Sequence, residues 1–347
     1  MNKNFISFAK EGNLEKIVEL YENGANIHAE NDEAFINACL NGHCEVAKYL
    51  IEKGADINAQ HQKAIFLSTK YEIIYLLYEN GANIHLSNDH IFRWSAQCGY
   101  FENVRFLYEK GANIHAENDY ALRWASRTNH LNIVIFLVDN GADIHVKNDQ
   151  PLRWASEEGQ YDIVKFLVER GANISAKNND ALRMSAQNGH YRTLKFLVQN
   201  GADVHADHDF AIRMASSFGK LLNVRFLFDI VTDVNVRNES LRLACENNQT
   251  DVVKFFLKKG LDSNLLNERM KKKLGLIPID WKPKPQNIKP FRPSQECPIS
   301  GIEFTDEIPK LGCGKCLNVF EKTFLEKWLK VKDICPFCRK KSNFYCA

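Results

Sequence analysis

Residues 141–172 read GADIHVKNDQPLRWASEEGQYDIVKFLVERGA, and the 30 residues before them, 111–140, read GANIHAENDYALRWASRTNHLNIVIFLVDN. In the earlier copy the run Tyr120–Ser126 carries apolar residues at helical spacing, and Ile133, Val134, Phe136, Leu137 and Val138 form a second apolar stripe. That pattern predicts two short helices per copy. Asp119 stands where an N-cap oxygen would accept the first free amides of the inner helix. Gly141 stands where the outer helix must end in a left-handed conformation. Pro151 falls in the first turn of its helix, where a missing amide hydrogen costs nothing.

The Gly-Ala pair that opens each copy recurs at Gly24, Gly54, Gly81, Gly111, Gly141, Gly171 and Gly201, with degenerate versions near Val231 and Gly260. The spacings are 30, 27 and then 30 repeatedly. A fixed period of this length marks one supersecondary unit that cannot bury its apolar face alone and stacks on its neighbours. Nine units are counted over about residues 4–264, the first and last as candidate caps and the third shortened in its inter-helix turn.

The order of loop, helix start, glycine-containing turn and apolar outer helix in 141–172 resembles the ankyrin repeat, with Gln150, Pro151, Leu152 and Arg153 in the slots of the family's TPLH motif. Ankyrin units usually run ~33 residues. The 30-residue units here have lost about three from the hairpin between repeats, so blunted fingers are expected. The shortened unit, with ALRWAS in place of TPLHLA, is similar to ankyrin proteins of large amoeba-infecting DNA viruses such as Mimivirus. The resemblance implies a mainly α fold, a helical solenoid whose extended concave surface binds a protein partner.

Comparing the units separates what the fold demands from what it leaves free. Leu122, Leu152, Leu182 and Leu241, with Phe35, Phe92 and Ile212 in the same slot, stay apolar and are core. Trp94, Trp124, Trp154, Met184, Met214 and Leu243 are always large and apolar, and are read as packing between adjacent helix pairs rather than as an aromatic reading stripe. His28, His85, His115, His145 and His205 repeat at one loop position, which points to hydrogen bonding within the loop rather than to metal or catalysis. One slot instead reads Glu33, Lys63, His90, Tyr120, Gln150, Asp180, Phe210 and Glu239, and a following pair reads Gln97-Cys98, Arg127-Thr128, Glu157-Glu158, Gln187-Asn188 and Ser217-Phe218. Ankyrin geometry puts both sets on the concave side. His90, Tyr120, Arg127, Gln150, Glu157, Asp180, Gln187, Phe210 and Phe218 are therefore expected to read the target protein, with neutral drift of an unused surface as the alternative.

The whole chain is nearly charge-balanced, 45 Lys and Arg against 43 Asp and Glu, which argues against a nucleic-acid binder driven by charge. Residues 261–296 carry +4 and residues 297–347 carry +3, which leaves −5 for residues 1–260. The opening MNKNFISFAKEGN lacks the apolar stretch of a signal peptide, and no window approaches the ~20 apolar residues that span a bilayer. The expectation is an intracellular chain without membrane contact, in the host cytoplasm by the viral resemblance. Residues 265–296, with five of the nine prolines, read as a basic, partly extended linker. Its Arg269 and Lys271–Lys273 are a candidate nuclear-import stretch, the plainer reading being a solvated charge run.

Six of the ten cysteines fall in the last 51 residues, which in a reducing compartment favours metal ligation over disulfides. Cys313 and Cys316 form one CxxC pair and Cys335 and Cys338 another, with 18 residues between them. This spacing matches a closed structural site for one Zn2+ with four thiolates, which leaves no position to activate water. A 51-residue fragment builds little core of its own, so the metal is expected to hold residues 297–347 together.

The surrounding residues resemble RING and U-box ubiquitin ligases: CPI at Cys297, FEKTFLEKWL over 320–329 and CPFCR over 335–339. The resemblance implies a small α+β domain in which Ile299, Trp328 and Pro336 dock a ubiquitin-conjugating enzyme. Arg339 would be the non-covalent linchpin holding its ubiquitin thioester ready for attack. Ser300, Glu321 and Phe324 replace first-site ligands and Asn318 replaces a histidine, so one zinc is expected rather than two. All eleven histidines precede Phe210, which excludes a Cys-His or Ser-His pair within this end. Two readings follow: a substrate-adaptor ubiquitin ligase, or a non-enzymatic interaction scaffold with a structural zinc module.

Overall fold

The computed structural model describes residues 1–276, 310–313, 319–321 and 344–346. Contacts divide the chain into two units, Met1–Ile279 and Asp280–Ala347. The first is a stack of helix pairs: α1 (Asn2–Glu11) with α2 (Leu14–Glu22), α3 (Glu33–Asn41) with α4 (Cys44–Glu52), α5 (Ala59–Leu67) with α6 (Tyr71–Glu79), and α7 (Leu86–Cys98) with α8 (Phe101–Glu109). There follow α9 (Ala116–Arg127) with α10 (Leu131–Asp139), α11 (Val146–Glu157) with α12 (Tyr161–Glu169), and α13 (Ala176–Asn188) with α14 (Tyr191–Gln199). The last pairs are α15 (Ala206–Ser217) with α16 (Leu221–Ile230) and α17 (Val234–Glu246) with α18 (Thr250–Lys258). These are the nine expected units. Inner helices, the odd-numbered ones, pack on one another more intimately than outer helices do, so they form the short side of the stack.

One apolar seam runs between the layers. Leu122, Leu152, Leu182 and Leu241 are fully buried from the inner side, and Ile133, Val134 and Leu137 from the outer. Each such side chain contributes about 1.5–3 kcal/mol on burial, too little per unit to fold one alone. Among the described residues, eight of the nine outer helices end on a left-handed glycine, as the sequence requires, and α16 ends instead at extended Val231. Gly141 takes φ +97, its N–H reaches Val138 O at 3.1 Å, and Ala142 N–H reaches Leu137 O at 2.9 Å, satisfying two terminal carbonyls.

The loss from the inter-repeat hairpin has a specific structural result. Where the chain returns to the inner layer, three successive residues adopt left-handed backbone: Glu30–Asp32, Gln60–Gln62, Ser87–Asp89, Glu117–Asp119, Lys147–Asp149, Lys177–Asn179 and Asp207–Asp209. Most of these are a single turn of left-handed helix; Asp119 N–H, for example, reaches His115 O at 3.3 Å. Left-handed helix costs roughly 1–2 kcal/mol per residue, least for Asn and Asp, and the turns read END, SND, KND and KNN in most units.

Asp119 corrects one expectation. It does not cap its own helix; buried to 4% exposure, it accepts from Asp143 N–H in the next loop at 3.0 Å and lies 3.0 Å from His115 Nδ1. A carboxylate only accepts, so that ring nitrogen carries the proton. The same latch joins Asp32 to Asp56, Asp89 to Asn113 and Asp149 to Asn173. The repeated histidines are thus loop hydrogen-bonding groups, as expected. Where Asn179 replaces the aspartate, Ser175 replaces the histidine and the amide of Asp203 is still accepted, at 2.9 Å.

Two places depart from the pattern. In the third unit the inner helix stops at Leu67 and Ser68 is already extended, so the chain passes through Thr69 and Lys70 straight into α6. Between the eighth and ninth units there is no left-handed turn. Arg237 closes that junction, donating to Val231 O and Phe228 O at 2.8 Å each with its guanidinium 3.9 Å from the Phe228 ring centre.

The array also continues past Asn264. A short 3-10 turn (Ser263–Leu265) leads to α19 (Glu268–Lys273), with Leu266 and Met270 buried. The first dozen residues of the expected linker therefore close the end of the stack; the remainder lies outside the described residues. In the second unit, β1 (Lys310–Cys313) lies between β2 (Val319–Glu321) and β3 (Phe344–Cys346), antiparallel to both, with Leu311 opposite Phe320 and Cys346.

Candidate functional site

Among the described residues the most differentiated surface lies along the inner helices. Within one unit Tyr120, Trp124 and Arg127 stand at i, i+4 and i+7, hence on one helical stripe. Leu122, two residues before Trp124 and so about 200° round the helix, faces the core. The stripe repeats as His90/Trp94/Gln97, Gln150/Trp154/Glu157, Asp180/Met184/Gln187 and Phe210/Met214/Ser217. All of these are half-buried except Trp94, which is 40% exposed, and Phe218 beside the last stripe is 52% exposed. The tryptophan column packs between adjacent helix pairs, as expected, with Trp124 edge-on to Trp154 at 5.3 Å, and it is at the same time the half-buried middle of the surface stripe.

A column of arginines frames this surface: Arg93, Arg123, Arg153, Arg183 and Arg213. Arg123 donates to the carbonyls of Asn118 and Glu117 at 2.8 Å each, and Arg93, Arg153 and Arg213 hold the corresponding carbonyls of their own left-handed turns. The free arm then reaches the variable slot of the next unit. Arg93 lies over the Tyr120 ring at 5.2 Å, Arg123 donates to Gln150 at 3.0 Å, Arg153 pairs with Asp180 at 2.8 Å, and Arg183 lies over Phe210 at 5.0 Å. Arg183 leaves its Nε unbonded while pairing with both Asp180 and Asp207. Sequence reading passed over this column, although an arginine recurring every 30 residues amid changing neighbours was visible.

The expected reading residues thus differ in how far the array itself uses them. Gln150 and Asp180 are held by arginines, and Arg127 is paired with Glu158 at 3.0 Å while lying over Trp124 and Trp154. Tyr120 donates to Gln97 at 2.8 Å, and burial pushes its hydroxyl up against the opposing pull of Arg93 and Arg123. His90 stacks on Phe66 at 3.9 Å; burial, then Arg93, lowers its affinity for a proton. The side chains of Glu157, Gln187 and Phe218 have no hydrogen bond, ion pair or ring contact among the described residues.

The family model for ankyrin repeats, three copies long, matches residues 5–88, 64–148, 92–178 and 182–267. The chain belongs to the ankyrin-repeat family. No curated protein matches the chain. Ankyrin repeats generally bind protein partners.

Among the described residues of the array, the four cysteines are not activated nucleophiles. Burial pushes the thiols of Cys39, Cys44 and Cys98 up and that of Cys245 up to about 11, so none is a thiolate at neutral pH. No cluster of three or more metal-ligating side chains occurs among the described residues, and no helix there is long and apolar enough to cross a membrane. Ile299, Cys316, Trp328, Cys335, Pro336, Cys338 and Arg339 lie outside the described residues; Cys313 is placed by its backbone, at the end of β1 opposite Phe344.

Proposed function

We propose that this protein is a substrate-adaptor ubiquitin ligase, in which the ankyrin array captures a target protein and residues 297–347 recruit a charged conjugating enzyme. The observation that carries target capture is the stripe: five adjacent inner helices present one solvent-facing row with a large apolar middle and changing ends, on a frame of arginines and latched loops that the fold keeps constant. The ligase half rests on the sequence of the end region. There Cys313, Cys316, Cys335 and Cys338 would hold one structural zinc ion, Ile299, Trp328 and Pro336 would form the docking groove, and Arg339 would steady the thioester.

The replacement of first-site ligands by Ser300 and Phe324, and Asn318 in place of a histidine, favours a second reading, a scaffold whose zinc module has no transfer role. An autoubiquitination assay across a broad panel of conjugating enzymes separates the two. The ligase reading expects chains from wild type, fewer from Ile299→Ala and from Arg339→Ala, and one zinc per chain by elemental analysis. Zinc-loaded, folded protein that makes no chains with any enzyme leaves the scaffold.

A further inference from the structure

The third unit lacks the residues that elsewhere carry the end of the stripe. Ser185 and Ala186 are followed by Gln187, Asn188 and Gly189 before the outer helix, whereas Ser68 and Thr69 are followed at once by Lys70. The missing turn leaves a recess of about 280 Å³ between the third and fourth units. Its walls include the rings of Tyr71, Tyr100 and Phe101, Lys70, Asn103, and Glu102, whose exposed carboxylate also meets Arg105 of its own helix at 3.0 Å. Pockets for cofactors and drug-sized ligands run ~300–1,000 Å³, so this one fits a single large side chain.

Three observations define what it would hold. Asn103 is 2% exposed and donates to Thr69 O at 2.8 Å, but its carboxamide oxygen makes no hydrogen bond. The equivalent Asn223 gives its amide to two carbonyls, at 3.0 and 3.1 Å, and its oxygen is likewise unbonded but sealed in the core, whereas that of Asn103 borders the recess. Tyr71 and Tyr100 are 38% and 39% exposed, and no cation of the described array stands over them or over Phe101. Elsewhere the array shows what such a ring takes: Arg192, second residue of its outer helix, lies 3.7 Å from the centre of the Tyr161 ring, first residue of the preceding outer helix. At the recess the ring is Tyr71 and the residue in the place of Arg192 is Glu102, a carboxylate.

We propose that this recess receives an arginine side chain from the target protein, its guanidinium stacked on the tyrosine rings and hydrogen-bonded to Asn103 and Glu102. This rests on the reading of the array as a target-capture surface and names one chemical requirement of the target. Arginine rather than lysine follows from the planar fork, which stacks and donates at once.

Selection of random peptides on the full chain from a display library tests it. Selected peptides are expected to share an arginine at one position, and changing it to lysine should weaken binding about tenfold. Glu102→Arg, at an exposed position, supplies an internal guanidinium as Arg192 does and should erase the difference. Insertion of Gln-Asn-Gly between Thr69 and Lys70, which refills the gap, should do the same. Selected peptides with no fixed arginine, or an arginine preference that survives Glu102→Arg, overturn the proposal and leave target capture standing. A folded chain that selects no peptide overturns target capture and the arginine site together.

Discussion

The junction between the fifth and sixth units and that between the eighth and ninth connect the same kinds of helix, yet they are closed by opposite chemistry. At the first, a buried carboxylate, Asp119, accepts from the next loop, and Arg123 grips the left-handed turn behind it. At the second, Asp209 meets His205 but accepts from no amide of the next loop, and Arg237 alone gathers the loop carbonyls. A shortened repeat leaves backbone donors and acceptors stranded between units, and they must be satisfied wherever they are buried. The carboxylate latch requires a strained turn to aim it. The arginine clip does not: Asp209 keeps its left-handed turn without a latch, and the junction Arg237 closes has no such turn.

Asp119→Ala should show the difference most strongly. It removes the buried carboxylate that accepts from the Asp143 amide and from the exposed His115 ring, a loss of about 2 kcal/mol, read as a fall in the urea midpoint. Asp209→Ala, with one half-exposed partner, should cost under about 1 kcal/mol. Equal losses would mean that the latch contributes nothing the helices do not supply. Because stacked repeats open locally, hydrogen exchange should place the new opening between the fifth and sixth units. The chain itself offers the milder variant: Asp149→Asn recreates the arrangement at Asn179 and should be tolerated better than Asp149→Ala.

Arg237→Ala comes next, at about 2 kcal/mol, since two buried carbonyls lose charge-assisted donors and the Phe228 ring loses the nearer of its two cations, keeping Lys259. The expected readout is faster exchange confined to the ninth unit and α19. A uniform loss across the array would contradict the view that this junction is independently closed.

The period, the helix pairs and the glycine-bounded outer helices were legible in the sequence because each depends on local spacing. The latch was not, for a physical reason: Asp119 next to a helix start looks like a cap, and only the left-handed turn points its oxygens toward a residue 24 positions on. The stripe was half legible. Its changing ends, such as Tyr120 and Arg127, announce a surface, but the slot of Trp124 between them is large and apolar from the third unit to the ninth and so reads as packing between helix pairs alone. What exposes it is its angle from Leu122, a question of phase that hydrophobicity alone does not answer.

The turn can be tested without touching any latch. Asn118, at φ 56 and ψ 63, makes its contribution through conformation. Asn118→Ala should cost about 1 kcal/mol, because alanine tolerates left-handed backbone poorly, and Asn118→Gly should cost less. Thr232→Ala, at the junction without the turn, should be close to neutral. Thermal melting distinguishes the pair of sites.

The smallest effect sharpens the comparison at a third junction, between the third and fourth units, where His90 is stacked on Phe66 with its Nδ1 buried and unbonded. Burial first, and Arg93 second, disfavour the imidazolium, so the folded chain holds a proton at His90 less readily than the unfolded chain does. The unfolded value is about 6.5. Above it neither state is protonated and the full stability is present; as pH falls below it, protons bind the unfolded chain first and stability is lost down through the lowered folded value. The half-buried position limits this to a few tenths of a kcal/mol. The drop in urea midpoint between pH about 7.5 and about 5.5 should therefore be slightly smaller for His90→Gln than for wild type. If the two fall in parallel, His90 takes up a proton as readily in the folded chain as in the unfolded one, and the third junction is looser than its stacking suggests.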